Sequence, residues 1–242
     1  RKGNGVVDFA TVLQVSSNVG MVQAMRRMRP SSYWDWLNRL GLDAKPDTDL
    51  PGAVAGQLKT KQQFTSQPIE PATASFGQGF SLTPLKLVQL HALIANGGRL
   101  VSPHITRGLR AGHALASSGE RMGQSLLRPE VTRTVLSWME SVVEKGSGKG
   151  VRTPGYRIGG KTGTAEKPDP VKGGYYENKV ISTFASVFPI STGDYVLVVT
   201  LDEPENNLGS ESFRYASKTA VPIAAKIISR IATLLGLKLE KN

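Results

Sequence analysis

The sequence predicts an α+β fold, an antiparallel sheet with helices on its faces. Three observations carry this. Helical patterns dominate the earlier part of the chain, most clearly at 83–98 and 129–146. Three strand-like runs then follow in succession, at 156–165, 179–189 and 194–204, the last two joined by the turn "ISTGD". An apolar-striped helix at 216–237 comes last. Helices, then neighbouring strands with hairpin-length links, then a helix favours a layered antiparallel sheet over a parallel one.

Taken in order, "DFATVLQV" at 8–15 suits a short helix with Asp8 as N-cap. In "VGMVQAMRRM" at 19–28, apolar residues at 19, 22, 25 and 28 give helical spacing. Met21, Met25 and Met28 read as core filler. Pro30 stops this helix, Ser31 or Ser32 caps the next, and Gly41 ends it. From 41 to 80 the texture is Gly, Pro, Asp, Gln and Thr, a long loop region, and loops of that length in compact domains are usually functional. Thr83 as N-cap and Pro84 at the first helical position open the helix over 83–98, with Gly97 and Gly98 past its end. Residues 111–128, small and polar, read as a surface excursion. No internal repeat is visible.

With 242 residues and 39% hydrophobic content, the chain is long enough to bury a sizeable core in one large domain or two small ones. It has no cysteine, which excludes disulfides and thiolate metal sites. His91, His104 and His113 share no ligand spacing, so neither a metal nor a cofactor is implied, and His91 reads as a structural residue within its helix. The net charge of +11 favours anionic partners. Its basic residues are scattered, as in Arg26-Arg27, Lys59-Lys61, Arg107-Arg110 and Lys238-Lys241. They lack the aromatic interleaving that stacks bases, so no nucleic-acid partner is expected. No apolar run reaches the ~18 residues of a membrane span, and no signal-peptide pattern is present. The chain starts at Arg1, and it reads as a piece of something longer, with an anchor or export signal upstream.

The chemistry concentrates in "GGKTGTAEKP" at 159–168. On a strand, Lys161 and Gly163 share one face and Thr162 and Thr164 the other. A run with so little side-chain bulk suggests that another backbone or a ligand comes close. An ammonium and two hydroxyls there offer a place for a carboxylate, and Gly163 leaves a backbone edge open for a bound peptide by strand addition. The plain structural reading is a glycine-rich turn with an exposed lysine. The second piece is Ser16-Ser17-Asn18, between two helices. Hydroxyl and amide together can pass a proton and hold a carbonyl. Ser17 or Asn18 can equally cap the following helix.

In combination, Ser-x-Asn followed by Lys-Thr-Gly are two of the three motifs of the penicillin-recognising serine enzymes. The segments "GQGFSLTPLKLVQLHALIANGG", "LGLDAKPDTDLPG" and "VISTFASVFP…YVLVVTLDEP" also resemble, in order, the transpeptidase domain of class B high-molecular-weight penicillin-binding proteins. The resemblance covers essentially the whole chain and is nearest the division-associated, penicillin-binding protein 3 type. It implies a penicillin-binding or serine β-lactamase-like fold, with residues 1–242 as the C-terminal part of one transpeptidase domain. The implied reaction is D,D-transpeptidation of peptidoglycan stem peptides, with β-lactams as donor mimics. Ser16 would relay a proton, Asn18 would hold the substrate amide carbonyl and Lys161 would supply positive potential. Thr162 and Thr164 would flank the substrate carboxylate, Gly163 would let substrate lie against the strand, and the Thr164 amide would be an oxyanion donor.

The resemblance further implies a single-pass anchor in the cytoplasmic membrane, with the domain facing the periplasm or exterior. Implied partners are divisome proteins, including a glycan polymerase, and the N-terminal remainder of the protein itself. One departure stands out. The family's nucleophile lies in Ser-x-x-Lys, and no serine here has lysine three positions on. The expectation is that nucleophile, pedestal and anchor lie upstream, that this chain alone is inactive, and that it bears an uncovered sheet edge. Two other readings share the motifs: a β-lactamase, for which Glu70 in "TSQPIEPATAS" is the available deacylating base, and a penicillin-sensing receptor domain.

Overall fold

A computed structural model describes residues 5–106, 108–111, 114–117, 122–205 and 214–240. The chain begins with α1 (Phe9–Gln14), α2 (Asn18–Met25), α3 (Pro30–Arg39), α4 (Lys61–Ser66), α5 (Ile69–Ala74) and α6 (Pro84–Ala95). Four short strands follow: β1 (Arg99–Val101), β2 (Gly108–Ala111), β3 (Ala114–Ser117) and β4 (Met122–Ser125). Then come α7 (Pro129–Lys145), β5 (Gly159–Pro168), β6 (Tyr175–Phe188), β7 (Tyr195–Asp202) and α8 (Ala220–Leu234). The elements form two compact units, Arg1–Met21 with Thr134–Asn242, and Val22–Arg133.

The first unit is built on the antiparallel sheet β5-β6-β7. The register is regular from Gly159↔Val187 to Glu166↔Val180, so side chains alternate faces along the motif strand. The three strands and the closing helix occur in the expected order with shifted bounds: β5 starts at Gly159 and runs to Pro168, β6 starts at Tyr175 and α8 at Ala220. Helix α8 lays Ala220, Val221, Ala224 and Ile228 on the sheet, all fully buried. Alanines at the contact let the helix come close enough to cover Phe184 and Phe188, each at most 1% exposed. Burying a ring of that size stabilises by roughly 1.5–3 kcal/mol. Among the described residues both β5 and β7 pair on one side only, so the sheet has two free edges.

In the second unit α3, α4 and α5 enclose a small core of Leu37, Leu42, Phe64 and Ala74. Several expectations need correction here. Pro30 does not stop a helix but starts α3, and neither Ser31 nor Ser32 caps it. Proline suits the first helical turn because its missing N–H has no partner there anyway. Helix α2 ends at Met25, so Met28 lies beyond it and is 39% exposed, not core. The 41–80 region contains α4 and α5. Thr60 and Gln63 form a reciprocal capping box at the start of α4, a Thr-x-x-Gln signal legible in the sequence.

The expected excursion at 111–128 includes the end of the β2–β3 hairpin and strand β4, which pairs antiparallel with β1. Thr83 and Pro84 open α6 as expected. His91 Nδ1 lies 2.8 Å from Leu87 O, and burial pushes its pKa down, the structural role anticipated for it. His113, Arg107, Lys241 and the side chain of Arg110 lie outside the described residues.

Candidate functional site

The first unit sets the turn between α1 and α2 against the start of β5. Helix α1 ends with two bonds, Ser16 N–H to Leu13 O at 3.2 Å and Ser17 N–H to Val12 O at 2.9 Å. That pattern requires a left-handed residue just past the C-cap, and glycine usually fills it. Here it is Ser16, at φ +53°. A side chain in that region costs about 1 kcal/mol, and such strain clusters at functional sites. Ser17 is the cap of α2, its Oγ accepting from Gly20 N–H at 3.1 Å. Asn18 is the first residue of α2; its side chain is exposed and hydrogen-bonds to no described residue. A Cβ on Gly20 would fall 2.5 Å from Val12 Cγ2, so glycine is what lets α2 cross close to α1.

Lys161 brings the two motifs together. Its Nζ donates to Ser16 Oγ at 2.8 Å and to Thr162 O at 2.8 Å. The side chain is half-buried, and burial lowers its pKa to about 8. No carboxylate among the described residues offsets that effect. The result is a cation held beside a hydroxyl with no counter-anion among the described residues.

The rest of the motif divides by environment. A Cβ on Gly159 would fall 2.6 Å from Ile190 Cδ1, and on Gly160 2.4 Å from Phe184 Cζ. These two glycines answer to close packing by the protein's own side chains. Gly163 does not, since its added Cβ would meet only Thr183 O at 3.9 Å. The Thr164 hydroxyl accepts from Ala216 N–H at 3.1 Å, which leaves its own proton to donate. Thr162 Oγ1 lies 2.6 Å from Ser147 Oγ. Ser147 was not singled out in the sequence, where "KGSGKG" after α7 reads as a plain helix stop. An ammonium, a serine hydroxyl and two threonine hydroxyls along an open strand edge can bind a carboxylate and pass a proton.

Ser-x-Asn and Lys-Thr-Gly are two motifs of the penicillin-recognising serine enzymes, and here they lie side by side, joined by Lys161 and Ser16. Residues 1–229 match the penicillin binding protein transpeptidase domain, and the chain belongs to that family. Its relatives place it with the class B members of FtsI and penicillin-binding protein 3 type. It is 36% identical over 244 residues to a peptidoglycan D,D-transpeptidase FtsI homolog of Mesostigma viride, covering 94% of this chain and 40% of that protein. It is 30% identical to stage V sporulation protein D of Bacillus subtilis, covering 100% of this chain and 36% of that one. The chain thus spans less than half the length of these relatives.

Among solved structures it resembles penicillin-binding protein 3 of Mycobacterium tuberculosis in complex with aztreonam. The TM-score is 0.85 at 27% identity, over 96% of this chain and 52% of that one. It also resembles the transpeptidase domain of Burkholderia pseudomallei penicillin-binding protein 3. There the TM-score is 0.84 at 28% identity, over 100% of this chain and 68% of that one.

Proposed function

We propose that the protein is a peptidoglycan D,D-transpeptidase of septal wall synthesis, and that residues 1–242 supply the second and third motifs of its site. The observation that carries this is the 2.8 Å contact of Lys161 Nζ with Ser16 Oγ, which joins residues 145 positions apart. The attacking serine comes from a Ser-x-x-Lys outside this sequence. It adds to the penultimate carbonyl of a stem peptide ending in D-Ala-D-Ala, the C–N bond breaks, and D-Ala leaves with a proton relayed by Ser16. An amine of a second strand then attacks the ester, loses its proton along the same path, and frees the serine.

Lys161 keeps that path positively polarised, and Asn18 presents its exposed amide to the substrate carbonyl. Thr162 O receives a bond from Lys161, as expected if the Thr162 peptide groups face the free edge of β5. By the two-residue period the Thr164 N–H faces the same way, where it serves as an oxyanion donor. Gly163 leaves room for the substrate between them.

The wider setting belongs to the same proposal: a single-pass membrane anchor, a domain outside the cytoplasmic membrane, and division proteins including a glycan polymerase as partners. No helix among the described residues is long and apolar enough to cross a membrane. The β-lactamase reading is weaker because residues 1–229 match the penicillin binding protein transpeptidase domain.

A fluorescent penicillin followed by a denaturing gel tests the proposal. The full-length protein takes a covalent label and residues 1–242 alone take none. Labelling of 1–242 alone would overturn the assigned roles. Fast turnover of a chromogenic cephalosporin by the full-length protein would favour the β-lactamase.

A further inference from the structure

The turn after α7 touches both halves of the site. Gly146 N–H and Gly148 N–H both donate to Val142 O, at 3.0 and 3.1 Å, and Val142 is fully buried. The turn Gly146-Ser147-Gly148 is therefore anchored to the core. On one side, a Cβ on Gly146 would fall 2.3 Å from Gln14 O, two residues before Ser16. On the other, Ser147 Oγ lies 2.6 Å from Thr162 Oγ1, next to Lys161. One three-residue turn thus braces the backbone that presents Ser16 and the hydroxyl beside Lys161.

We infer that Ser147 is a positioning residue for recognition of the ligand carboxylate, acting through Thr162. The inference rests on the transpeptidase reading. Either oxygen of the Ser147–Thr162 pair can be the donor in the unliganded protein. A carboxylate is only an acceptor. Once it binds, Thr162 must spend its single proton on the carboxylate, so Ser147 must donate to Thr162. The chain Ser147 O–H to Thr162 O–H to carboxylate then runs in one direction, each bond strengthening the next. Without the Ser147 hydroxyl, Thr162 rotates freely and the bond to the anion is weaker. A ligand without the negative charge gains little from this arrangement and loses little with it.

The test compares second-order acylation rates of the full-length protein for a penicillin and for its methyl ester, in wild type, Ser147→Ala and Ser147→Thr. Circular dichroism and melting verify that each variant is folded. Ser147→Ala lowers the acid-to-ester rate ratio on the order of tenfold, the worth of one hydrogen bond to a charged group. Ser147→Thr, which keeps a hydroxyl, holds the ratio near wild type. An unchanged ratio in Ser147→Ala, whether both rates fall together or neither does, overturns the inference, because a merely structural serine moves both rates alike. An equal loss of ratio in Ser147→Thr also overturns it, since the hydroxyl would then not be the cause. If the unsubstituted protein is not acylated, the transpeptidase reading fails and this inference with it. If it is acylated and the ratio is unmoved, only the inference fails.

Discussion

Lys161 Nζ lies 2.8 Å from Ser16 Oγ, and Ser16 holds a left-handed backbone that glycine would adopt more readily. The turn gives up stability in order to present a hydroxyl. Ser16→Gly relieves the strain and is therefore more stable, by about 0.5–1 kcal/mol, than Ser16→Ala, which loses the same hydroxyl but keeps a side chain at the left-handed position. The same change removes the hydroxyl acceptor of Lys161, leaving Thr162 O, and abolishes penicillin acylation in the full-length protein. Thermal melting of the two variants and gel labelling measure the two effects, and a Ser16→Gly protein no more stable than Ser16→Ala would contradict the strain argument.

The ammonium of Lys161, with its pKa lowered by burial to about 8, is present at pH 7 and is lost as pH rises through that value. Reversible binding of a carboxylate ligand therefore weakens between pH 7 and pH 9. Lys161→Arg, charged throughout this range, has a flat profile there, whatever its absolute affinity. Titration calorimetry at several pH values shows the difference; parallel profiles in the two proteins would remove Lys161 as the cause.

Gly160 and Gly163 stand three residues apart in one strand and should respond oppositely. Gly160→Ala drives a methyl into the Phe184 ring, 2.4 Å from Cζ, and destabilises by roughly 1–3 kcal/mol. Gly163→Ala meets only Thr183 O, at 3.9 Å, so the melting point stays close to wild type, yet its methyl takes up space that the proposal gives to substrate and slows acylation. A Gly163 variant that is stable and fully reactive would show that nothing lies against that stretch.

Lys86 in α6 is 3% exposed, and its Nζ donates to Gln89 Oε1 at 2.7 Å. Burial lowers its pKa from the ordinary 10.5, with the nearby Asp43 charge opposing the shift. The folded state therefore holds this proton less tightly than the unfolded chain does. At low pH both states are charged and burial of the cation costs stability. As pH rises towards 10.5 the folded state sheds the proton first, so stability increases. Lys161 contributes with the same sign. Lys86→Gln keeps a donor for Gln89 and should reduce the rise of melting temperature with pH; an unaltered slope would mean that Lys86 is not its source.

The strands at 159–202 and helix α8 were legible because β-branched runs and an apolar stripe survive as pattern whatever packs on them. Helices α4 and α5 were not, since each has only six residues and Pro68 and Pro71 sit between and within them. Short helices carry too few turns for periodicity, and only the Thr60–Gln63 cap announced one. At the site, Ser16 and Lys161 came from motif pattern, and their contact depends on a separation of 145 positions that no local rule spans. Ser147 was hidden for the opposite reason: its surroundings are so ordinary that only the 2.6 Å contact marks it. The different duties of Gly159, Gly160 and Gly163 are likewise set by what stands across from each.

The lowered pKa of Lys161 has a chemical consequence apart from any ligand. Near pH 8 about half of its amines are uncharged, whereas an ordinary lysine is almost wholly protonated. Lys161 is only partly buried, so a mild acylating or aldehyde reagent at that pH should modify it ahead of the exposed lysines. Peptide mapping would then read the state of the site from the Lys161 adduct, in a chain without cysteine where thiol tags have nothing to hold.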